Sequence, residues 1–155
     1  GAPTTPSGFG GAQPAVDVYI TVINAYDDAF RHPATASTAS FDKYLAGQAK
    51  IDVDRSLAQA KAAGIAYRGT PDAPRLRVVS SSLSGSLPEV VLRDCGLASK
   101  TDPFVGYDVK TDKPLPTSTP KVAPPYAKTI KMFQPNKRQW VISSLTTDAT
   151  KTCTP

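Results

Sequence analysis

The chain has 155 residues, enough to bury one core and too few for two comfortable ones. Its net charge is +5 and its isoelectric point near 9.3, yet Lys and Arg are scattered rather than gathered into the basic stripe that nucleic-acid binding leaves. No apolar run approaches the roughly 18 residues of a membrane span, and with His32 as the lone histidine a multi-histidine metal site has no ligands to draw on. No metal and no cofactor are therefore expected.

In chain order, residues 1–14 come first: GAPTTPSGFGGAQP is uncharged, rich in small and turn-forming residues, and without apolar periodicity. Such a stretch cannot bury enough surface to offset its ordering entropy, so it is expected to be a flexible tether. A tether of this kind suits an exported protein held to a membrane upstream by a lipid or by a removed segment; an ordinary frayed terminus is the alternative. The folded domain is expected over residues 15–148, followed by a tail at 149–155.

From residue 16 to 31, Val16, Tyr19, Ile20, Ile23, Tyr26 and Phe30 recur at three- and four-residue steps, one stripe of an amphipathic helix. Asp17 near its start and Arg31 and His32 near its end suit the helix dipole, and Pro33 stops it. Residues 34–40 read as a loop, with Ser40 placed to cap a short helix at 41–45. A longer helix runs through Ala49 and Leu57 to Ala63, where Gly64 supplies a left-handed stop.

Beyond Gly64 the pattern changes to short strand-like runs at 65–68, 75–83, 89–97, 104–109, 126–133 and 139–146. Gly69 with Pro71, Gly85 with Pro88, Asp102-Pro103 and Pro135-Asn136 separate them. Residues 110–125 hold five prolines and are expected to form a long irregular connection rather than a strand. In the final run Trp140 alternates with Ile142, while Val141 alternates with Ser143 and Leu145, so both faces need cover, by helices on one side and by loops or a partner on the other. Helices first and strands afterwards predict an α+β domain whose N-terminal helices pack on a curved, mostly antiparallel sheet.

Two cysteines, Cys95 and Cys153, lack the close spacing of a metal site or a redox dithiol. If they pair, the bridge ties the C-terminal tail to the sheet and contributes about 4 kcal/mol in the chain-entropy model. A free thiol beside a polar terminus has no packing role, which favours the disulfide and an oxidising, extracellular or cell-envelope compartment.

The remaining chemistry is sparse. His32 follows Asp28 by four residues, the spacing of an ordinary helix-surface pair. Asp27 and Asp28 point about 100° apart around a helix and cannot share a proton as a catalytic pair does. Asp42, Asp52 and Asp54 belong to the helical region and read as solvated. Gly8, Gly10 and Gly11 precede no strand-to-helix turn, so they form no phosphate loop. Lys128, Lys131, Lys137 and Arg138 cluster near the last hairpin, where they could meet an anionic surface or simply guard a sheet edge.

Taken together, Ala25-Tyr26-Asp27-Asp28-Ala29-Phe30 in the first helix, Ala60-Lys61-Ala62-Ala63-Gly64 before the first strand, Val91-Leu92-Arg93-Asp94-Cys95 in mid-sheet and Gln139-Trp140-Val141 near the end carry a resemblance. Over residues 16–146 the chain resembles the nuclear transport factor 2-like superfamily, also called ketosteroid isomerase-like or cystatin-like. Within it the chain looks like exported actinobacterial proteins, many of them lipoproteins, that carry this fold behind a low-complexity tether. The resemblance implies a cone-shaped α+β barrel with a pocket between helices and concave sheet, lined by Tyr19, Ile23, Tyr26, Phe30, Asp94 and Trp140. It does not name a function, because the fold hosts enzymes, binders and interaction modules.

Three roles follow as expectations. The first is a non-enzymatic module that binds an apolar small molecule in the cone or a cell-envelope protein partner. The second is an isomerase or dehydratase using Tyr26 as the phenol and Asp94 as the acid, a template in which a general base has no clear candidate. The third is a homodimer through the sheet face with its cavity filled by its own side chains.

Overall fold

A computed structural model describes residues 6–116 and 125–155. Helix α1 spans Gln13–Arg31 and helix α2 Gly47–Ala63, with single 3-10 turns at Thr38–Ser40 and Asp42–Tyr44 between them. Among the described residues seven strands follow: β1 Ile65–Arg68, β2 Leu76–Ser82, β3 Glu89–Asp94, β4 Val105–Asp108, β5 Lys113–Pro114, β6 Tyr126–Phe133 and β7 Val141–Thr152. The helices-then-strands α+β order read from the sequence is the observed one.

Among the described residues the strands divide between two antiparallel sheets and close no barrel, so the cone that the resemblance implies is open. A four-stranded sheet runs β2-β3-β6-β7 and a three-stranded sheet runs β1-β4-β5. Strand β3 stops at Asp94, a bridge between Ala73 and Leu97 carries the pairing slightly past it, and the chain then returns in β4 to pair with β1, Ala66 opposite Tyr107. Within the larger sheet, Leu92 faces Ile130 and Val90 faces Met132 across β3 and β6; all four side chains are buried.

Against these inward side chains α1 lays Val16, Tyr19, Ile20 and Val22, and α2 lays Ala49, Val53 and Leu57. Helix α2 packs on β7 and β1, and α1 on β1. Gly64 ends α2 in the left-handed conformation, φ 67° and ψ 36°, as the sequence requires, and its carbonyl accepts from the Val109 amide at 2.9 Å to launch β1 beside β4.

Several boundaries move. The first helix begins at Gln13, inside the segment read as tether, and Ala12 is buried against the core. Pro14 is tolerated there because a helix's first amides lack intrahelical partners anyway. The Gln13 side chain then folds the preceding residues back, accepting from the Phe9 amide at 3.3 Å and donating to the Pro6 carbonyl at 2.8 Å. The short helix read at 41–45 is only a 3-10 turn, with Phe41 fully buried before it, and Ser37 rather than Ser40 caps the turn preceding it. His32 leaves helical geometry at φ −139°, so the expected pair with Asp28 does not form.

At the other end β7 continues to Thr152, six residues past the predicted stop, because Tyr126 pairs with Thr152 and Cys153 is bonded to Cys95. The tail at 149–155 is thus largely strand. Part of the proline-rich connection pairs as well: Pro114 stands opposite Tyr107 at the outer edge of the small sheet, where proline's missing amide costs nothing. The rest of that connection, 117–124, lies outside the described residues.

Candidate functional site

A cavity of about 540 Å³ lies between α1, α2, β1 and the Asp94 end of the large sheet. Its position follows from the split between the sheets, which leaves the inward faces of the helices uncovered where β3 ends. Of the residues expected to line it, Tyr19, Ile23, Tyr26, Phe30 and Asp94 do so. Trp140 does not: it is buried in the core at the opposite end of the four-stranded sheet, one residue before β7 begins.

The floor is a closed polar bond. The Tyr19 hydroxyl donates to Asp94 Oδ2 at 2.6 Å, and the Arg75 amide donates to Asp94 Oδ1 at 3.0 Å. Tyr19 is 1 % exposed and Asp94 4 %, so both groups would be costly to bury unpaired. Burial first, and then the charge and hydrogen bond of Asp94, push the Tyr19 phenol far above its ordinary value. The sequence offers Asp94 a phenol of the first helix, Tyr19 or Tyr26, backbone groups, or an arginine such as Arg77; the structure joins it to Tyr19 and to a backbone amide.

Tyr26 sits seven residues further along α1, about two turns away on nearly the same face. It is half-buried, and its phenol is also raised, first by burial and then by Tyr67 and Asp27, with the Ser56 hydroxyl opposing. It begins a line of rings. Tyr26 lies 4.5 Å from Phe30, Phe30 meets Tyr67 edge-on at 5.7 Å, and Tyr67 stacks on Phe104 at 5.4 Å. Arg31 closes the outer end, its guanidinium 5.1 Å above the Phe104 ring while donating to the Gly69 carbonyl at 2.8 Å. Gly69 has φ 106° and lies so close to the Pro103 carbonyl that a side chain there would collide, so this corner of the wall depends on glycine.

Four further charged groups line the cavity, and sequence reasoning singled out none of them as a pocket residue: Asp27, Asp52, Asp72 and Lys128. Asp27 turns inward and is half-buried while Asp28 stays exposed. Burial raises the Asp27 carboxyl to about 6, with Lys128 and Arg31 pulling it down and Asp28 and Asp72 pushing it up. Asp52 reaches the lining although it reads as solvated, held by the Gln48 amide at 2.7 Å. Asp42 and Asp54 instead grip Lys50, at 2.9 and 3.2 Å. Lys128 stands opposite Asp94 in the β3–β6 register, which a correct pairing of the two predicted strands could have revealed. Asp72 lies in the loop between the sheets and carries no periodic signal.

Away from the cavity, the Cys95–Cys153 disulfide spans 58 residues and fastens the end of β7 to the end of β3. It is consistent with an oxidising compartment outside the cytoplasm. Among the described residues no helix is long and apolar enough to cross a membrane, and no group of three His, Cys, Asp or Glu side chains is arranged to hold a metal ion.

No family model and no curated protein matches this sequence. Among solved structures the chain is similar to the intermembrane space region of the chloroplast protein ARC6, with 16 % identity, coverage of 92 % of this chain and 98 % of that one, and a TM-score of 0.61. At that identity the likeness speaks for a shared α+β fold along nearly the whole chain.

Proposed function

We propose that this is a non-enzymatic binding domain of the nuclear transport factor 2-like type, working outside the cytoplasm, that holds a small and largely apolar molecule between its helices and the Asp94 end of its sheet. The observation that carries the reading is the cavity of about 540 Å³ walled by Tyr26, Phe30, Tyr67 and Phe104, a size and character suited to a drug-sized ligand. The disulfide supports an exported address, and attachment to the cell surface through residues upstream of the fold completes the proposal.

The isomerase-type alternative loses support on the floor of the cavity. There the Tyr19 hydroxyl spends its one proton on Asp94, and both Asp94 oxygens accept from protein donors. Asp94, the acid of that reading, is thus committed as an acceptor to Tyr19 and the Arg75 amide rather than free to act with Tyr26 on a substrate oxygen. A dimerisation module with a filled cavity fits less well, because the space is open.

Fluorescence titration with the neutral dye N-phenyl-1-naphthylamine tests the reading. Saturable binding at one site per chain is expected, and Ser56→Trp, which places an indole in the cavity, is expected to abolish it while leaving the circular dichroism of the fold unchanged. Absence of saturable binding to the wild-type chain, or equal binding by a folded Ser56→Trp variant, overturns it.

A further inference from the structure

The lining has an imbalance that packing does not explain. Four carboxylates, of Asp27, Asp52, Asp72 and Asp94, face the cavity against one ammonium, that of Lys128, in a protein whose net charge is +5. Two of the four are satisfied within the fold: Asp94 by Tyr19 and the Arg75 amide, Asp52 by Gln48 and, at 3.9 Å, by Arg55. Asp27 and Asp72 are not. Neither has a hydrogen bond or ion pair among the described residues; the charges of Lys128 and Arg31 favour ionised Asp27 from a distance, those of Asp28 and Asp72 oppose it, and Asp27 is half-buried beside the rings. A partly desolvated carboxylate without a hydrogen-bonded partner costs stability.

The adjoining wall is suited to the opposite charge. The four-ring line from Tyr26 to Phe104 presents aromatic surface to the same space, and its last ring already holds a cation, the Arg31 guanidinium. Aromatic faces attract cations through their quadrupole, most strongly where water is excluded. Lys128, exposed and in register with Asp94, acts on Asp27 through its charge but makes no ion pair with it, and the same holds for Arg31, whose guanidinium sits on Phe104.

Resting on the cavity reading above, we infer that the ligand is an organic cation, an apolar body laid against Tyr26, Phe30 and Tyr67 with an ammonium group at Asp27 and Asp72. Lys128 then tunes affinity by repelling the same charge from the rim. The class is an amine or quaternary ammonium carrying an aromatic or aliphatic body; neutral and acidic molecules of the same shape are disfavoured.

The experiment compares monodansylcadaverine, a fluorescent primary amine, with its N-acetylated neutral counterpart on the full chain at neutral pH. The amine is expected to bind about tenfold more tightly. Asp27→Asn is expected to remove most of that advantage while leaving the neutral compound's affinity unchanged, and Lys128→Gln to tighten the amine severalfold. Asp28→Asn, on the exposed side of the same helix, serves as the control and is expected to have little effect. Equal affinity for the two compounds, or an amine preference that survives Asp27→Asn, overturns the cationic assignment while leaving the cavity reading intact. Failure of both compounds to bind overturns the cavity reading with it.

Discussion

Tyr19 and Tyr26 share a helix and nearly a face, and the structure puts them to opposite uses. Tyr19 is sealed under the sheet with its hydroxyl committed to Asp94; Tyr26 opens a line of aromatic rings along a cavity. The difference comes from what each meets across the gap. Opposite Tyr19 the large sheet is continuous, and β3 delivers a carboxylate at its end; by Tyr26 the strands have parted into two sheets, and side chains from α2, β1 and the connecting loops line open space. The same amphipathic stripe therefore acts as core at one end and as pocket wall at the other.

The contrast can be broken at its anchor. Removing the disulfide with Cys95→Ala and Cys153→Ala releases β7 from the end of β3, and the loss expected for a loop spanning 58 residues is about 4 kcal/mol by the chain-entropy relation. Denaturant unfolding with and without reductant measures it. Next in size is Asp94→Ala, which leaves the Tyr19 hydroxyl and the Arg75 amide without their acceptor. About 3 kcal/mol of destabilisation is expected, since each stranded buried donor costs on the order of 1–3 kcal/mol.

The two tyrosines can then be compared directly. Tyr19→Phe takes a donor from buried Asp94 and is expected to cost about 2 kcal/mol, whereas Tyr26→Phe is expected to stay within about 0.5 kcal/mol. Equal effects would erase the distinction between floor and wall.

A last contrast concerns pH. Folded Asp27 titrates at about 6 against an ordinary 3.8, so the folded state holds its proton more tightly than the unfolded chain. Its contribution to stability is complete below 3.8 and is lost as pH rises through about 6, with Lys128 and Arg31 moderating the loss and Asp28 and Asp72 deepening it. Asp27→Asn is accordingly expected to match the wild type near pH 4 and to be the more stable protein near pH 7.5, as thermal unfolding at the two values would show.

Much of this was legible in the sequence, and the limits have physical causes. The stripe from Val16 to Phe30 named the pocket helix because helical periodicity is local, and Gly64 marked the handover to strands because only a left-handed residue ends a helix that way. Cys95 and Cys153 were readable because there were only two to pair. Trp140 was misplaced because apolarity shows that a side chain is buried but not where. Asp27 carried no sign of facing the pocket, since sequence places it 100° from Asp28 without saying which of the two turns inward. The split into two sheets, on which the cavity depends, arises from pairings between distant strands such as β1 with β4, and no local pattern carries those.

The account turns on where a cationic, apolar molecule sits, and amide chemical-shift mapping of the labelled chain titrated with monodansylcadaverine tests that most directly. Saturable shifts gathered at Tyr26, Asp27, Phe30, Tyr67 and Asp72, with little change at Arg77 and Arg93 on the large sheet, are the expected result. Shifts scattered over the exposed sheet, or none around the ring line, would contradict it.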